Sequence, residues 1–141
     1  MGIRYFALVY GTVFAIVGIA GFIPFLVTPY GVAEPDLAVS AGAGHLLGLF
    51  PVNVLHNLVH LAFGLWGLAV WKNLHAAHTY ARAVAIIYFV FAIMGFIPTL
   101  HTTFGLVPLH GNDIWLHFLL AGVAAYFGWA YRPETVAHQR H

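Results

Sequence analysis

Two pairs of polar residues, each spaced by about one helical turn, lie inside stretches that are otherwise apolar. His56 and His60 form the first pair, and Asp113 and His117 form the second. Residues four apart share one face of an α-helix, so each pair would direct two side chains the same way. Imidazole and carboxylate groups together suit zinc, copper or iron, among other transition metals. The four side chains therefore predict a metal site between two helices.

Other uses of the same positions stay open. His60 and His117 are also candidates for cofactor binding, as axial ligands of a haem or chlorophyll-type tetrapyrrole. A third interpretation is purely structural, with hydrogen bonds fixing the helices against one another. Asn53, Asn57 and Tyr88 would belong to this polar network. The histidines are also suited to proton handling or pH sensing.

The sequence offers little for catalysis. No serine or cysteine nucleophile stands beside a buried base, and no second carboxylate can pair with Asp113 in the apolar stretches. The absence of cysteine excludes thiolate metal sites, and a net charge of +1 without a basic cluster excludes a nucleic-acid partner. We expect a binding or accessory protein rather than an enzyme, although a redox reaction at the histidines stays open.

The composition predicts an all-α integral membrane protein. Of 141 residues, 62% are hydrophobic and 6% are charged, whereas soluble proteins carry about 25% charged residues. A membrane-spanning helix needs about 20 apolar residues, and a helix satisfies its own backbone hydrogen bonds in lipid. Four stretches qualify as spans, at residues 3–25, 52–71, 81–98 and 113–131. They predict a four-transmembrane-helix bundle that forms one domain over residues 1–141.

The spans place the polar residues on narrow faces, since helical residues turn by about 100° each. The polar stripe of the second span comprises Asn53, His56, Asn57, His60, Gly64 and Gly67. That of the fourth span comprises Asp113, His117, Ala121, Ala124 and Gly128. Small residues permit close approach of helices in membranes. Both stripes are therefore predicted to face the interior of the bundle.

The connectors carry their own signals. Proline suits the first turn of a helix, so Pro51 and Pro108 are predicted to begin the second and fourth spans. Residues 26–50 are predicted to form an irregular or partly helical outer cap, and residues 132–141 a polar cytoplasmic tail. All basic residues lie at the amino terminus, in the middle connector or in this tail, at Arg4, Lys72, Arg82, Arg132 and Arg140. The positive-inside rule then places both termini in the cytoplasm.

Histidines outside the polar stripes have simpler explanations. His75 and His78 are predicted to lie in the solvated middle connector. His45, His101 and His110 fall on the outer side, where they are either ordinary interfacial residues or a route by which a cation is fed inward.

The sequence is also internally duplicated. The tetrapeptide Gly-Phe-Ile-Pro at residues 21–24 recurs at residues 95–98, an offset of 74. Residues 48–64 align with residues 105–121, an offset of 57. Two spans in each copy predict a bundle built from two parallel two-helix repeats, related by a pseudo-twofold axis along the membrane normal.

The run Leu-Phe-Pro-Val-Asn at residues 49–53, followed by His56-Asn57 and His60, resembles a bacterial family of four-helix membrane proteins. This family is numbered 4383 among domains of unknown function. The resemblance covers nearly the whole chain and includes the weaker echo at residues 108–117, where His110 and Ile114 replace expected asparagines. It implies the fold and the importance of the motif positions, and it names no reaction.

The resemblance and the charge pattern together predict a multi-pass protein of the bacterial inner membrane or a thylakoid membrane. The expected partners are the lipid bilayer and either other subunits of a membrane complex or further copies of this chain. A scaffold subunit of a respiratory or photosynthetic complex is the main alternative to a metal-binding or cofactor-binding role.

Overall fold

The computed structural model describes residues 2–132, a range that is mostly helical with a small β-sheet. The helices are α1 (Gly2–Ala20), α2 (Val54–Val70), α3 (Leu74–Phe96) and α4 (Asn112–Ala125), which continues as a π-helical turn (Tyr126–Ala130). The strands are β1 (Val27–Pro29), β2 (Gly44–Leu46) and β3 (Phe50–Val52), and a 3-10 turn (Pro24–Leu26) precedes β1. Of the predicted tail, only Arg132 falls within the described residues.

Three helices in the described range are long and apolar enough to cross a membrane. They are α1, α3 and α4 with its π-helical turn, of 19, 23 and 19 residues. At 1.5 Å per residue, 19 residues extend about 29 Å, close to the thickness of the hydrocarbon layer. The shorter α2 has 17 residues and is also apolar. Large apolar side chains such as Ile16, Leu65 and Leu119 cover the outer faces of these helices, as expected of a surface in contact with lipid.

The two polar stripes face inward, as the sequence predicts. The buried residues of α2 are His56, Asn57, His60, Gly64 and Gly67. Those of α4 and its π-helical turn are Asp113, His117, Ala121, Ala124 and Gly128. Both sets are parts of the predicted stripes, and the first residue of the α2 stripe, Asn53, is buried just before the helix.

The outer cap differs from the expected irregular or partly helical segment. It contains an antiparallel three-stranded sheet in the order β1-β2-β3, in which β2 pairs with both neighbours. The all-α prediction therefore applies to the spans and misses this sheet. Pairing between strands satisfies backbone groups that an irregular connector would leave to water or side chains. Each strand has three residues, too few to show the alternation by which strands are recognised in a sequence.

The predicted helix starts at Pro51 and Pro108 are wrong. Pro51 lies in β3, and Pro108 lies in the loop before α4. Instead Asn53 precedes α2 as its N-cap, with its side chain accepting a hydrogen bond from the backbone N–H of His56. Asparagine is among the best residues at this position because its oxygen satisfies a free N–H of the first turn.

The third helix begins earlier than the predicted third span. Asn73 caps α3 by accepting a hydrogen bond from the backbone N–H of Ala76. As a result, His75 and His78 lie in the first two turns of a helix rather than in a loop. The middle connector is accordingly reduced to the few residues between α2 and α3.

The helices pack as two tight pairs, α1 with α2 and α3 with α4. Glycines allow the closest approach between α1 and α2. Gly11 lies against the backbone of α2 near Gly64, and Gly64 lies against the backbone of Ala15. Between the two pairs, the centre of the bundle is filled by the buried rings of Phe6, Phe14, Tyr80 and Tyr88.

Replacing Gly64 with leucine is expected to destabilise the protein. A Cβ at this position would come within 2.5 Å of the backbone nitrogen of Ala15, so α1 and α2 would have to separate, at a cost of about 1–3 kcal/mol. Thermal unfolding in detergent measures the effect. Gly122→Leu is the matched control, because among the described residues no atom lies within 4 Å of a Cβ built there. If the two variants unfold at the same midpoint temperature, the close packing of α1 against α2 at Gly64 is contradicted.

Candidate metal centre

A buried hydrogen bond between an imidazole and a carboxylate joins the first turns of α2 and α4. Nε2 of His56 lies 3.1 Å from Oδ2 of Asp113, and the two residues are 4% and 1% exposed. Asp113 is the only acidic residue of the first turn of α4, where the helix dipole favours a negative charge. The two helices thus bring their polar stripes together at the end of the bundle that carries the cap.

His117 completes a three-residue group with this pair. One ligand atom from each of His56, Asp113 and His117 lies within 4.8 Å of the other two, and all three residues are buried. Ligand atoms bound at about 2.1 Å to one tetrahedral ion lie about 3.4 Å apart. Shifts of up to about 1 Å would bring this group, which we call the buried centre, to the spacing of a coordination sphere with three protein ligands.

His60 lies beside the buried centre but outside the three-residue group. Its Nδ1 atom is 3.0 Å from the backbone carbonyl oxygen of His56. A carbonyl only accepts hydrogen bonds, so Nδ1 carries the proton and Nε2 of the neutral ring keeps its lone pair. The imidazole rings of His56 and His60 are 4.4 Å apart. The predicted fourth ligand thus lies beside His56 and holds the tautomer that metal binding through Nε2 requires.

Cavities lie on both sides of these histidines. One of about 70 Å³ is lined by His56, His60, His117 and Tyr88. A second of about 230 Å³ is lined by His56, His60 and Asp113. Pockets for drug-sized ligands have volumes of about 300–1,000 Å³. The two cavities therefore have room for an ion with a few water molecules, and each is small for a tetrapyrrole.

Several buried polar atoms around the centre have no hydrogen-bond partner within residues 2–132. They are Nδ1 of His56, Nδ1 of His117, Nδ2 of Asn57 and the hydroxyl of Tyr88. In folded proteins nearly all buried polar groups are paired with protein atoms, water or ions. Three of these atoms belong to His56, Tyr88 and His117, which line the cavity of about 70 Å³, so water or an ion bound there would satisfy them.

The three residues predicted as a structural network occupy different surroundings. Asn53 is fully hydrogen-bonded, because its Nδ2 donates to the carbonyls of Val39 and Leu106 while its oxygen caps α2. The side chain of Asn57 packs against Gly21. Tyr88 contacts the centre through its ring, whose centroid is 5.2 Å from that of His117.

Sequence analysis missed a second group of ligand-type side chains in the cap. The carboxylate of Glu34 lies between two imidazoles, with Oε1 3.3 Å from Nε2 of His45 and Oε2 3.1 Å from Nε2 of His110. We call these residues the cap cluster. Glu34 and His45 belong to the first outer connector and His110 to the second. Only the folding of the cap brings the three side chains together, so their spacing in the sequence does not reveal the cluster.

Tyr30 packs beside the cap cluster. Its ring centroid is 5.0 Å from that of His45, and it is half-buried. Burial raises the pKa of the Tyr30 hydroxyl, and the nearby carboxylates of Glu34 and Asp113 raise it further. The phenol therefore stays neutral at physiological pH, close to the carboxylates of both groups.

The helices of membrane-spanning length and apolar composition indicate a mostly helical membrane protein. Two groups of His, Asp and Glu side chains have a spacing that could hold a metal ion. The chain belongs to the family described as "Domain of unknown function (DUF4383)", which matches residues 4–130. This confirms the family that the motif at residues 49–60 indicates. No curated protein and no solved structure matches the chain.

Proposed function

We propose that this protein is a small multi-pass membrane protein that binds a transition-metal ion, of the zinc, copper or iron class, at the buried centre. His56, Asp113 and His117 supply the ligands, and His60 supplies a fourth or positions His56 through its hydrogen bond. The observation that carries the proposal is the approach of three buried ligand atoms to within 4.8 Å of one another. The unpartnered nitrogens of His56 and His117 support it.

In this proposal all four helices span the membrane, including the shorter α2. At 1.5 Å per residue, α2 is about 26 Å long. Gly11 and Gly18 of α1 pack against its backbone at positions about two turns apart. Its outer face exposes Leu58 and Leu65. A helix that is packed along a membrane span and exposes leucine on the other side is best accommodated within the lipid.

The proposal also includes two related halves, and contacts between equivalent residues support them. Under the offsets of 74 and 57, three equivalent pairs meet one another at the centre of the bundle. They are His56 with Asp113, Phe14 with Tyr88, and Phe6 with Tyr80. Equivalent residues can touch only where they lie beside the axis that relates the halves. The buried centre would therefore lie at this axis.

Neighbouring contacts repeat in the same way. The ring of Phe14 meets that of His60 edge-on at 5.6 Å, and its equivalent Tyr88 meets His117 edge-on at 5.2 Å. The two glycines of the repeated tetrapeptide behave alike as well. Gly21 packs against Asn57, and Gly95 packs against Ile114, the residue equivalent to Asn57. Each half thus positions one histidine with an aromatic ring from its own first helix.

We also propose that both termini are cytoplasmic, in the bacterial inner membrane or a thylakoid membrane. Arg4 and Arg82 lie at the end of the bundle opposite the cap, where they donate to the carbonyls of Trp71 and Gly128. The chain has no cysteine, so the labelling of a single introduced cysteine shows on which side of the membrane that residue lies. In right-side-out spheroplasts, a membrane-impermeant maleimide should label Val32→Cys in the cap. It should leave Lys72→Cys unlabelled until the membrane is permeabilised, and the reverse pattern would contradict this orientation.

Metal analysis of the protein purified in mild detergent tests the proposed function. We expect one equivalent of a transition metal that resists removal by brief washing with chelator. His117→Ala should lose this metal while remaining folded, and His75→Ala, at an exposed position of α3, should keep it. Substoichiometric metal in the wild-type protein after growth and purification with zinc, copper and iron would contradict the proposal.

A structural role in a scaffold subunit is the second candidate. It is favoured by the interhelical bond between His56 and Asp113 and by the three hydrogen bonds of Asn53. Such a protein would purify without metal and would lose stability when either residue is changed. The remaining alternative is a tetrapyrrole bound by His60 and His117. A Soret or chlorophyll band in the visible spectrum of the purified protein would indicate it.

A further inference from the structure

The cap cluster consists of three ligand-type side chains that meet in one place. The two oxygens of Glu34 each face a different imidazole Nε2, at 3.3 Å for His45 and 3.1 Å for His110. One ligand atom from each of these residues lies within 4.8 Å of the other two, as in the buried centre. Unlike the buried centre, the side chains are partly accessible, with 26%, 22% and 15% exposure for Glu34, His45 and His110.

The fold of the cap holds each of the three residues in place. His45 is the middle residue of β2 and pairs with Thr28 on one side and Pro51 on the other. His110 lies just before α4, and its ring is 5.5 Å from that of His101. Glu34 belongs to a turn closed by the hydrogen bond from its N–H to the carbonyl of Gly31. The meeting of the three side chains thus depends on the sheet and both outer connectors.

Polar atoms beside the cap cluster are also left unpaired. Nδ1 of His110 and the hydroxyl of Tyr30 are buried and have no hydrogen-bond partner in the part of the chain that the structure describes. The ring of Tyr30 packs against both imidazoles of the cluster, at 5.0 Å from His45 and 6.4 Å from His110. Buried polar groups of this kind normally bind water or an ion.

We propose that Glu34, His45 and His110 form a second metal site, which binds a divalent transition-metal ion such as Zn²⁺ exchangeably. Two imidazoles and one carboxylate are the ligand set of several zinc sites that leave the fourth position to water. The partial exposure of the side chains gives water access to that position. The ion replaces the protons on the two Nε2 atoms, and Glu34 neutralises part of its charge. This inference goes beyond the proposed function and does not depend on it.

Zinc titration of the metal-stripped protein in detergent, followed by calorimetry, tests this site. The wild-type protein should show a weaker binding event in addition to any binding at the buried centre. The double variant His45→Ala/His110→Ala should lose the weaker event. Glu34→Gln keeps the size and hydrogen-bonding capacity of the side chain, and should weaken the event roughly tenfold or more. His101→Ala is the control, because its ring touches His110 without belonging to the cluster, and it should bind as the wild type does.

Variants of the buried centre keep the two conclusions separate. His117→Ala should retain the weaker event even if all binding at the buried centre is lost. If the wild-type protein lacks the weaker event, or if it persists unchanged in the double variant and in Glu34→Gln, the cap site is refuted. That result would leave the proposed function untouched. If His117→Ala loses only the tighter zinc binding, the proposed function is supported, whether or not the cap site binds zinc.

Discussion

Asp113→Ala should lose the metal of the buried centre and unfold at a lower temperature than the wild-type protein. Asp113 supplies the only carboxylate of the centre, and it is the hydrogen-bond partner of Nε2 of His56. Leaving that buried nitrogen unpaired costs about 1–3 kcal/mol. Metal content and thermal unfolding, measured on the same purified sample, give both effects.

Asp113→Asn separates binding from folding. The amide keeps the shape of the side chain and can still accept a hydrogen bond from His56, but it lacks the negative charge that favours a cation. We expect loss of metal together with unfolding close to that of the metal-stripped wild-type protein, because the bound ion itself stabilises the fold. Asp36→Asn, at an exposed position of the cap, should change neither property. If Asp113→Asn unfolds at the same temperature as Asp113→Ala and the wild-type protein carries no metal, the bond between His56 and Asp113 has a purely structural role.

Asn53→Ala is expected to be the most destabilising single change among the polar residues of the stripes. Asn53 is fully buried and makes three hydrogen bonds, which tie the start of α2 to Val39 and Leu106 of the two outer connectors. Alanine would leave the buried N–H of His56 unpaired, together with two carbonyls that are partly accessible to solvent. The expected loss is about 2–4 kcal/mol.

The matched control for this variant is Asn73→Ala. Asn73 caps α3 with the same geometry, but it is exposed and makes one such hydrogen bond, so its loss should cost about 1 kcal/mol. Chemical or thermal unfolding in detergent compares the two. Equal losses would mean that the bonds of Asn53 to the connectors contribute nothing.

The sequence predicts the inward faces of the helices well, because these faces depend on local periodicity. Polar and small residues at helical spacing identify the buried face of α2 from His56 to Gly67 and that of α4 from Asp113 onward. The same reasoning predicts that His60 and His117 are near each other, and both line one cavity. Periodicity is a property of neighbouring residues, so a single sequence contains it.

Features that depend on distant segments are those that the sequence analysis missed. The cap sheet is built from three-residue strands whose pairing is set by the connectors around them. The position of Glu34 between two histidines follows from that sheet and has no local signal. The helix starts were missed for a different reason, since Asn53 competes with Pro51 as a start signal and its three hydrogen bonds favour it.

X-ray absorption spectroscopy of the metal that copurifies with the protein tests the central claim most directly. We expect one ion with at least two imidazole nitrogens and a carboxylate oxygen at about 2.0–2.2 Å in the wild-type protein, and no such ion in His117→Ala. An ion without imidazole ligands, or a spectrum that is the same in His117→Ala as in the wild-type protein, would contradict a metal held between α2 and α4.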